Sequence, residues 1–353
     1  MNPMQKVKRA FILVAILFTT LLIIFFSSRE KDKKKTLYLF NWSTYTPESV
    51  IEEFEKEYNV NVSVDNYSSN EELFAKLLSG AKGYDVIFPS QDYVSIMIKE
   101  HMLEEIDLTQ IPNVKYISDL AKEKADYDPT MRYAVPYFMG AAGIGVNTRK
   151  LSSYEKSWNI FARKDLAGTM IMMDNMREVL GDALAVNGYS VNSSNQDELL
   201  TAQNTIENDW KPNLVKFDTD GFGKAFASGD FTVVQGYAEV IYGEVPEEDW
   251  PYIDFFIPKE GGTMYIDSMC IPKGAEHYDL ALKFINFIHR PDIYAQFLDA
   301  FNLPPTVNDA AGELMSVKPF YNAEDIANQE PMNDLGEHLS DYIKIWEKIR
   351  FTK

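Results

Sequence analysis

The stretch LFNWSTYTPESV (residues 39–50) joins a predicted strand to a predicted helix, and the rest of the chain repeats this pattern. Residues 36–42, TLYLFNW, are rich in β-branched and aromatic side chains, which favours a strand. The triplet Thr46-Pro47-Glu48 supplies an N-cap, a proline at the first helical position and an acid in the first turn, so a helix is predicted to follow. Trp42 and Tyr45 lie near the connection, where neither ring has an obvious core to fill.

The alternation of strand and helix continues after this junction. Residues 61–67 alternate apolar and polar side chains, as a half-buried strand does, and residues 84–88 form a short apolar strand. Each is followed by a segment with apolar residues at helical spacing. The order β, α, β, α, β, α favours a mainly parallel sheet with helices on its faces.

A second α/β unit begins later in the chain. Strands are predicted over residues 169–173, 231–235, 254–257 and 263–270, and helices lie between or after them. Two units in series predict two lobes, with residues 140–147 (GAAGIGVN) as the first crossing between them. The glycines of this segment have the spacing G-x-x-G-x-G, which differs from the G-x-G-x-x-G fingerprint of dinucleotide-binding proteins and disfavours that function.

Length and composition are those of a globular protein of two ordinary domains, with 353 residues of which 46% are hydrophobic. Residues 36–353 carry 26 Lys and Arg against 51 Asp and Glu, a formal charge of −25. This charge argues against nucleic acid as a partner and favours a cation, although an acidic surface can also serve solubility alone.

Residues 1–35 are predicted to be a signal peptide or an N-terminal membrane anchor. Three basic residues precede an apolar run of 17 residues (10–26), near the lower limit for spanning a bilayer. The sole cysteine, Cys270, leaves no residue for lipidation near the run and no internal disulfide. Either alternative predicts a periplasmic location, tethered to the outer face of the cytoplasmic membrane if the segment is not cleaved.

Aromatic and acidic residues recur at the carboxyl ends of the predicted strands, where open α/β sheets bind ligands. The residues at these ends are Trp42, Ser43, Tyr45, Ser90, Asp92, Tyr93, Asp174, Asn175, Glu178, Tyr237, Glu239, Tyr265 and Asp267. Aromatic faces attract ammonium groups and cover methylenes, and carboxylates neutralise amines, so this mixture suits an organic cation. Each residue alone has a structural alternative, such as a helix cap for Asn175, but recurrence at five strand ends predicts a site.

Motifs of enzymes and metal sites are scarce. The sequence has no G-x-S-x-G, H-E-x-x-H, P-loop or C-x-x-C, and its four histidines lack metal-ligand spacing. We therefore predict no catalytic residues, no metal and no cofactor.

Several segments, taken in order, resemble the extracytoplasmic solute-binding proteins of ABC transporters, and among them those that bind spermidine and putrescine. They are NWSTY, SSNEELFAKL, GYDVIFPS, VPYFMGAAGIGVN, DNMREV, KEGGTMYIDSMCIP, INFIHRPD and EPMNDLG. The resemblance implies an α/β, two-lobed periplasmic-binding-protein fold of type II, each lobe a mixed β-sheet flanked by helices and hinged by crossing strands. It implies lobe 1 from residues 36–142 plus 267–307, and lobe 2 from residues 145–266 plus 308–353.

The resemblance also implies roles for individual residues. Trp42, Ser43, Tyr45 and Ser90 match binding residues of the first lobe, and Glu178 matches a carboxylate of the second. Asp267 matches the acid that anchors a terminal amine. Either Tyr237 or Gln235 takes the place of a binding-site tryptophan.

Four positions depart from the pattern of the family. Asn175 stands where a second acid is expected, Asp92 and Leu303 where aromatics are expected, and Met332 where a glutamine is expected. Relative to the family pattern, one lobe loses a carboxylate at Asn175 and the other gains one at Asp92. The polyamine class is kept, but the choice between putrescine, spermidine and a longer polyamine is open.

The function implied is that of a monomeric polyamine-binding component of an ABC importer, which delivers spermidine or putrescine to a membrane permease. Alternatives are a different small ligand, such as a sugar or a metal ion, and a membrane-tethered polyamine sensor. An enzyme acting on a cationic substrate is disfavoured, because no nucleophile–base set is visible.

Overall fold

The first strand of the computed structural model has the bounds that the sequence predicts, while the first helix starts differently. The structure describes residues 34–43, 45–218 and 221–351, and β1 is Thr36–Trp42. The helix begins at Glu48 with Pro47 as its N-cap residue, so the prediction that Thr46 caps it is wrong. The Thr46 hydroxyl instead accepts a hydrogen bond from the Asn41 amide at 2.8 Å.

The described chain alternates short strands and helices. After β1 the strands are β2 Asn61–Tyr67, β3 Val86–Ile87, β4 Ala134–Gly140, β5 Gly143–Asn147, β6 Met170–Met172, β7 Leu214–Phe217, β8 Val233–Gly236, β9 Ile253–Phe256, β10 Thr263–Cys270 and β11 Glu330–Pro331. The α-helices are α1 Glu48–Tyr58, α2 Asn70–Leu78, α3 Gln91–Lys99, α4 Asp119–Lys124, α5 Met176–Val186, α6 Gln196–Asn204, α7 Phe222–Ala227, α8 Ala238–Glu244, α9 Tyr278–Ile288, α10 Pro291–Phe301, α11 Asp309–Gly312 and α12 Leu339–Phe351.

The strands form two mixed sheets, as the predicted fold class requires. The strand order of the first sheet is β11-β10-β3-β1-β2, and β4 also pairs with β10 outside this linear order. Here β1 runs parallel to β2 and β3, whereas β10 runs antiparallel to β3 and β4. The second sheet has the order β7-β6-β8-β5-β9 and joins parallel and antiparallel pairs. The parallel arrangement expected from the order of elements is confirmed for β1, β2 and β3. Each complete sheet is nevertheless mixed, because β10 enters the first and β5 the second in the antiparallel direction.

Three segments connect the two sheets. Ala141 and Ala142 separate β4 of the first sheet from β5 of the second, and residues 257–262 separate β9 from β10. The third connection leads from β11, which pairs with β10, to α12, which packs against α5. Strand β10 lies in the first sheet along its whole length, including residues 263–266, which the sequence assigns to the second lobe. The lobe boundaries stay a prediction.

Each sheet has an aromatic core. On the first, Phe54 of α1 packs edge-on against Phe284 and Phe287 of α9, with ring centroids 5.1 and 5.2 Å apart. Beside the second, Trp158 and Trp210 are fully buried. These cores hold the strand ends of both sheets in fixed positions.

The predicted signal peptide or anchor lies outside the described residues, except for its last two positions. Among the helices of residues 34–43, 45–218 and 221–351, none is long and apolar enough to cross a membrane.

The second connection contains a tight contact at Gly261. Its φ of +89° lies in the left-handed region, and a Cβ placed there would be 2.7 Å from the Asn328 carbonyl oxygen. Gly274 has a similar φ of +80°, but a Cβ there would meet no atom within 4 Å. The two glycines share a backbone conformation and differ in their neighbours.

We expect Gly261→Ala to destabilise the protein more than Gly274→Ala. The control change should cost about 1 kcal/mol, the penalty of a left-handed alanine, while Gly261→Ala adds a clash with backbone that cannot rotate away. Urea denaturation of both variants measures the difference. Equal losses would show that the connection adjusts freely around Gly261.

Candidate functional site

Asp267 of β10 is a buried carboxylate held by two hydroxyl groups of the first sheet. Its side chain is 4% exposed and accepts hydrogen bonds from the Tyr45 hydroxyl at 2.8 Å and from Ser90 Oγ at 2.6 Å. Ser90 is the N-cap residue of α3 but makes no side-chain cap bond, so its hydroxyl is available to Asp267. Burial raises the pKa of Asp267 to about 7, and the two hydrogen bonds offset only part of this effect.

The aromatic residues after β1 are fixed by their polar ends. The Trp42 indole N–H donates to the Phe88 carbonyl at 2.9 Å, and its ring lies 4.7 Å from that of Tyr67. The Tyr45 ring packs edge-on against Tyr137 at 5.3 Å. Ser43 is exposed. The β1–α1 connection thus places the Tyr45 hydroxyl against Asp267. Tyr45 is free for this contact because the N-cap residue of α1 is Pro47.

Glu178 is the corresponding carboxylate beside the second sheet. It lies in the first turn of α5, is fully buried, and accepts hydrogen bonds from the Tyr237 hydroxyl at 2.8 Å and from the Thr263 hydroxyl. Burial raises its pKa, and its hydrogen bonds and the charge of Arg177 oppose the rise. Both contacts of its oxygens are with uncharged groups.

Asn175 and its neighbour Asp174 have structural partners. Asn175 Oδ1 accepts from the backbone N–H groups of Arg177 and Glu178 at 3.0 and 3.2 Å, so the side chain is the N-cap of α5. Asp174 forms an ion pair with Arg350 at 3.0 Å. The cap orients the first turn of α5 and thereby Glu178.

Tyr237 and Tyr265 bring two rings together between the sheets. Their centroids are 5.6 Å apart with perpendicular planes. Tyr265 pairs with Gly140 in the sheet, where a Cβ would lie 2.6 Å from the Tyr265 hydroxyl. The Gln235 side chain is occupied elsewhere: it accepts from the Met173 N–H and donates to Asp182. Of the two alternatives for the tryptophan position, Tyr237 is the one beside an aromatic ring.

Two further carboxylates face this region. Burial raises the pKa of Glu239, in the first turn of α8, to about 7, and that of Asp92, in α3, to about 6. The charges of Glu178, Glu239 and Asp267 all raise the pKa of Tyr237, and the charge of Asp92 raises the pKa of Asp267. Carboxylates predicted from separate strand ends therefore act on one tyrosine, and Asp92 acts on Asp267 directly.

Tyr93, Leu303 and Met332 make contacts within the protein itself. Tyr93 packs edge-on against Phe74 at 5.8 Å, and burial raises its pKa. Leu303 is buried in the core, and the Met332 carbonyl accepts from the Gln91 amide at 2.8 Å. Asp182, a fully buried carboxylate one turn after Glu178, is absent from the predicted site residues. Its position four residues after Glu178, on the same face of a predicted helix, is the sequence signal that could have identified it.

The arrangement suits a cation that also has an apolar body. Four partly or fully buried carboxylates have raised pKa values because burial penalises their charged forms, and a positive ligand would remove this penalty. The rings of Trp42, Tyr45, Tyr237 and Tyr265 supply apolar and cation-attracting surface nearby. Within the described residues, no group of His, Cys, Asp and Glu is arranged to hold a metal ion.

Comparison with known proteins gives consistent matches. Residues 49–325 match the family of bacterial extracellular solute-binding proteins. The spermidine/putrescine-binding periplasmic protein of Escherichia coli K12 is 33% identical over 332 residues, covering 92% of this chain and 94% of that protein. The putrescine-binding periplasmic protein SpuD of Pseudomonas aeruginosa is 32% identical over 298 residues, covering 80% and 81%. The crystal structure of the TpPotD lipoprotein of Treponema pallidum is 50% identical, with a TM-score of 0.87 over 90% of this chain and 100% of its own.

We expect Asp267→Asn to change how stability depends on pH. The pKa of Asp267 in the folded protein, about 7, lies above the roughly 3.9 of an unfolded aspartate, so the folded state holds this proton more tightly. Its contribution to the free energy of unfolding is full at acidic pH and is lost as the pH rises from about 4 to about 7. Asp267→Asn should therefore flatten this fall and raise stability at pH 8 in the unliganded protein.

Urea denaturation at pH 5, 6, 7 and 8 measures the effect. Asp126→Asn, at an exposed carboxylate, is the control and should follow the wild type. A pH dependence of Asp267→Asn equal to that of the wild type would contradict the assignment.

Proposed function

The chain belongs to the bacterial extracellular solute-binding proteins, and from this premise we propose that it binds spermidine or putrescine as the extracytoplasmic component of an ABC importer. The observation that carries the proposal is the pair of buried carboxylates, Asp267 and Glu178, each held by hydroxyl groups and flanked by tyrosine rings. The fold is the type II periplasmic-binding fold of the neighbouring solved structures.

Strand β10 provides the spacing between the two carboxylates. Side chains alternate along a strand, so Thr263, Tyr265 and Asp267 share one face, and the irregularity in pairing comes only after Asp267. Thr263 donates to Glu178, and four residues of strand separate it from Asp267 by about 13 Å between Cα atoms. Tyr265 lies between the two ends. A flexible chain with an amine at each end would place its amines at the carboxylates and its methylenes on the ring.

The other predicted contacts complete the proposed site. Trp42, Tyr45 and Tyr237 would cover the methylene chain, and Ser43, Ser90 and Asn175 would provide polar contacts at its ends. Asp92 and Glu239 would add negative charge beside the amines. Closure of the two sheets around the ligand would exclude water, so each ammonium needs an acceptor from the protein.

The names of the relatives support the proposal at the level of ligand and location. The Escherichia coli and Pseudomonas proteins are named for binding spermidine or putrescine and for their periplasmic location. We accordingly propose a periplasmic, monomeric protein that passes its ligand to the membrane permease of a polyamine ABC transporter. Its N-terminal segment would be removed as a signal peptide or would tether the protein to the membrane. The proposal involves binding and release without a chemical step.

We expect isothermal titration calorimetry to detect binding of spermidine or putrescine and to depend on both carboxylates. Asp267→Asn and Glu178→Gln should each weaken binding by about 2–5 kcal/mol, roughly 30-fold or more, since each leaves a desolvated ammonium without its partner. Diamines of increasing length and spermine, titrated in the same way, identify the amine spacing that the site prefers.

Two controls accompany these titrations. Asp126→Asn should bind as the wild type does, and a neutral sugar should give no heat of binding. If the wild type binds no polyamine, the proposed function is wrong; if both site variants bind with unchanged affinity, the two carboxylates are not the partners of the amines.

We also expect Gly140→Ala to weaken polyamine binding by roughly tenfold. A methyl group there collides with the Tyr265 hydroxyl, and overpacking of this kind costs about 1–3 kcal/mol. Gly243→Ala in α8, where a Cβ meets no atom within 4 Å, is the matched control. Equal affinities of the two variants would show that the position of the Tyr265 ring is unimportant for binding.

A further inference from the structure

Asp182 is a second carboxylate directly behind the proposed amine site, and the proposed function does not use it. It lies on α5 one turn after Glu178, and both side chains are fully buried. Residues four apart on a helix are neighbours on one face. Two acids are therefore buried side by side, facing β8 and β10.

Within the described residues, the hydrogen bonds to the side chains of this acid pair come from uncharged donors. Glu178 accepts from the hydroxyls of Tyr237 and Thr263. Asp182 Oδ2 accepts from the Gln235 side-chain amide, and Asp182 Oδ1 accepts weakly from the Thr263 N–H at 3.4 Å. Among the described residues, the pair thus has hydrogen-bond donors as partners, and none of these donors is a cation.

The charged groups around the pair do not neutralise it. Arg177 precedes Glu178 on α5 and attracts its charge, but its guanidinium donates to the Asn333 carbonyl at 2.8 Å and to Asn192 Oδ1 at 2.7 Å. Two adjacent buried carboxylates cannot both stay ionised without a cation, so one of them keeps a proton.

The hydrogen bonds indicate which acid holds the proton. The Gln235 amide has a fixed orientation, because its oxygen accepts from the Met173 N–H at 3.1 Å, so its NH₂ group must donate to Asp182 Oδ2. Both oxygens of Glu178 already accept from hydroxyls. Asp182 Oδ1, with one long contact, is the oxygen with room for a proton.

An unused acceptor lies next to that oxygen. Gln329 is fully buried, and neither polar atom of its side chain has a hydrogen-bond partner among the described residues. A Cβ on Gly262 would be 2.7 Å from Asp182 Oδ1 and 3.0 Å from Gln329 Oε1, so both oxygens border the same glycine. A proton on Asp182 Oδ1 would point a donor toward the Gln329 oxygen, directly or through one water.

We propose that Asp182 is a protonated carboxylic acid at neutral and mildly alkaline pH, up to about pH 8.5, which donates toward Gln329 and leaves Glu178 as the only anion of the pair. The role of Glu178 as the partner of an amine rests on the proposed function. Asp182 is then a positioning residue: it fixes Gln235 and the start of β10 without adding a second charge. One ammonium meets one carboxylate at this end of the site.

The first test uses the near-isosteric change Asp182→Asn, which resembles the protonated acid. Its affinity for spermidine and putrescine, measured by calorimetry at pH 7, should stay within about threefold of the wild type, whereas Glu178→Gln should lose roughly 30-fold or more. If a folded Asp182→Asn protein loses as much affinity as Glu178→Gln, the charge of Asp182 is needed and the proposal is wrong.

The second test requires no variant and no ligand. Infrared spectroscopy of the unliganded wild-type protein at pH 8.5, above the pKa of Asp267 and Glu239, should show the carbonyl band of a protonated carboxylic acid. The band should shift when aspartate, but not glutamate, carries an isotope label in its carboxyl group. A band that shifts with labelled glutamate, or no band, would overturn the assignment.

The two tests separate this proposal from the function on which it partly rests. Failure of the wild type to bind any polyamine would overturn the proposed function. The labelled infrared band would still decide the protonation of Asp182.

Discussion

The constraint on which this structure depends is the burial of negative charge without a built-in cation. Asp267 and Glu178 are removed from water, yet within the part of the chain that the structure describes the hydrogen bonds to their side chains come from hydroxyl groups. Neutral donors ease the cost of such burial but do not cancel it, and the raised pKa values express what remains. The unliganded protein is thus less stable than its packing would allow, and a cation that fits the space recovers the difference.

Strand β10 is the element that organises this charge. It pairs with three strands of the first sheet, so its position is fixed from both sides. One face of this strand carries Thr263, Tyr265 and Asp267 in succession, and the first and last of these are buried. Residues from distant parts of the sequence then need only reach one rigid strand: Tyr45 and Ser90 from one sheet, and Glu178 from the helix beside the other.

Much of this structure could be predicted from local sequence patterns, whereas the pairing of strands from distant parts of the sequence could not. β-Branched and aromatic residues predicted β1 with its observed ends, and the recurrence of acids and rings at strand ends predicted residues that the structure brings close together. The antiparallel entry of β10 left no local mark. Thr46 seemed the obvious cap, but its hydroxyl bonds to Asn41 and Tyr137, and Tyr137 is 91 residues away. At Asn175 a helix cap was the structural alternative to a binding role, and its side chain does cap α5.

The three connections between the sheets have a mechanical consequence. The crossings at residues 141–142 and 257–262 and the segment from β11 to α12 all border β10 or its partner β4. Two bodies joined at one point can swing and twist freely, whereas bodies joined at three neighbouring points retain chiefly a single angle of opening. A motion of one half against the other would then follow chiefly one coordinate, and the acid and the rings of each half would meet those of the other in the same register each time.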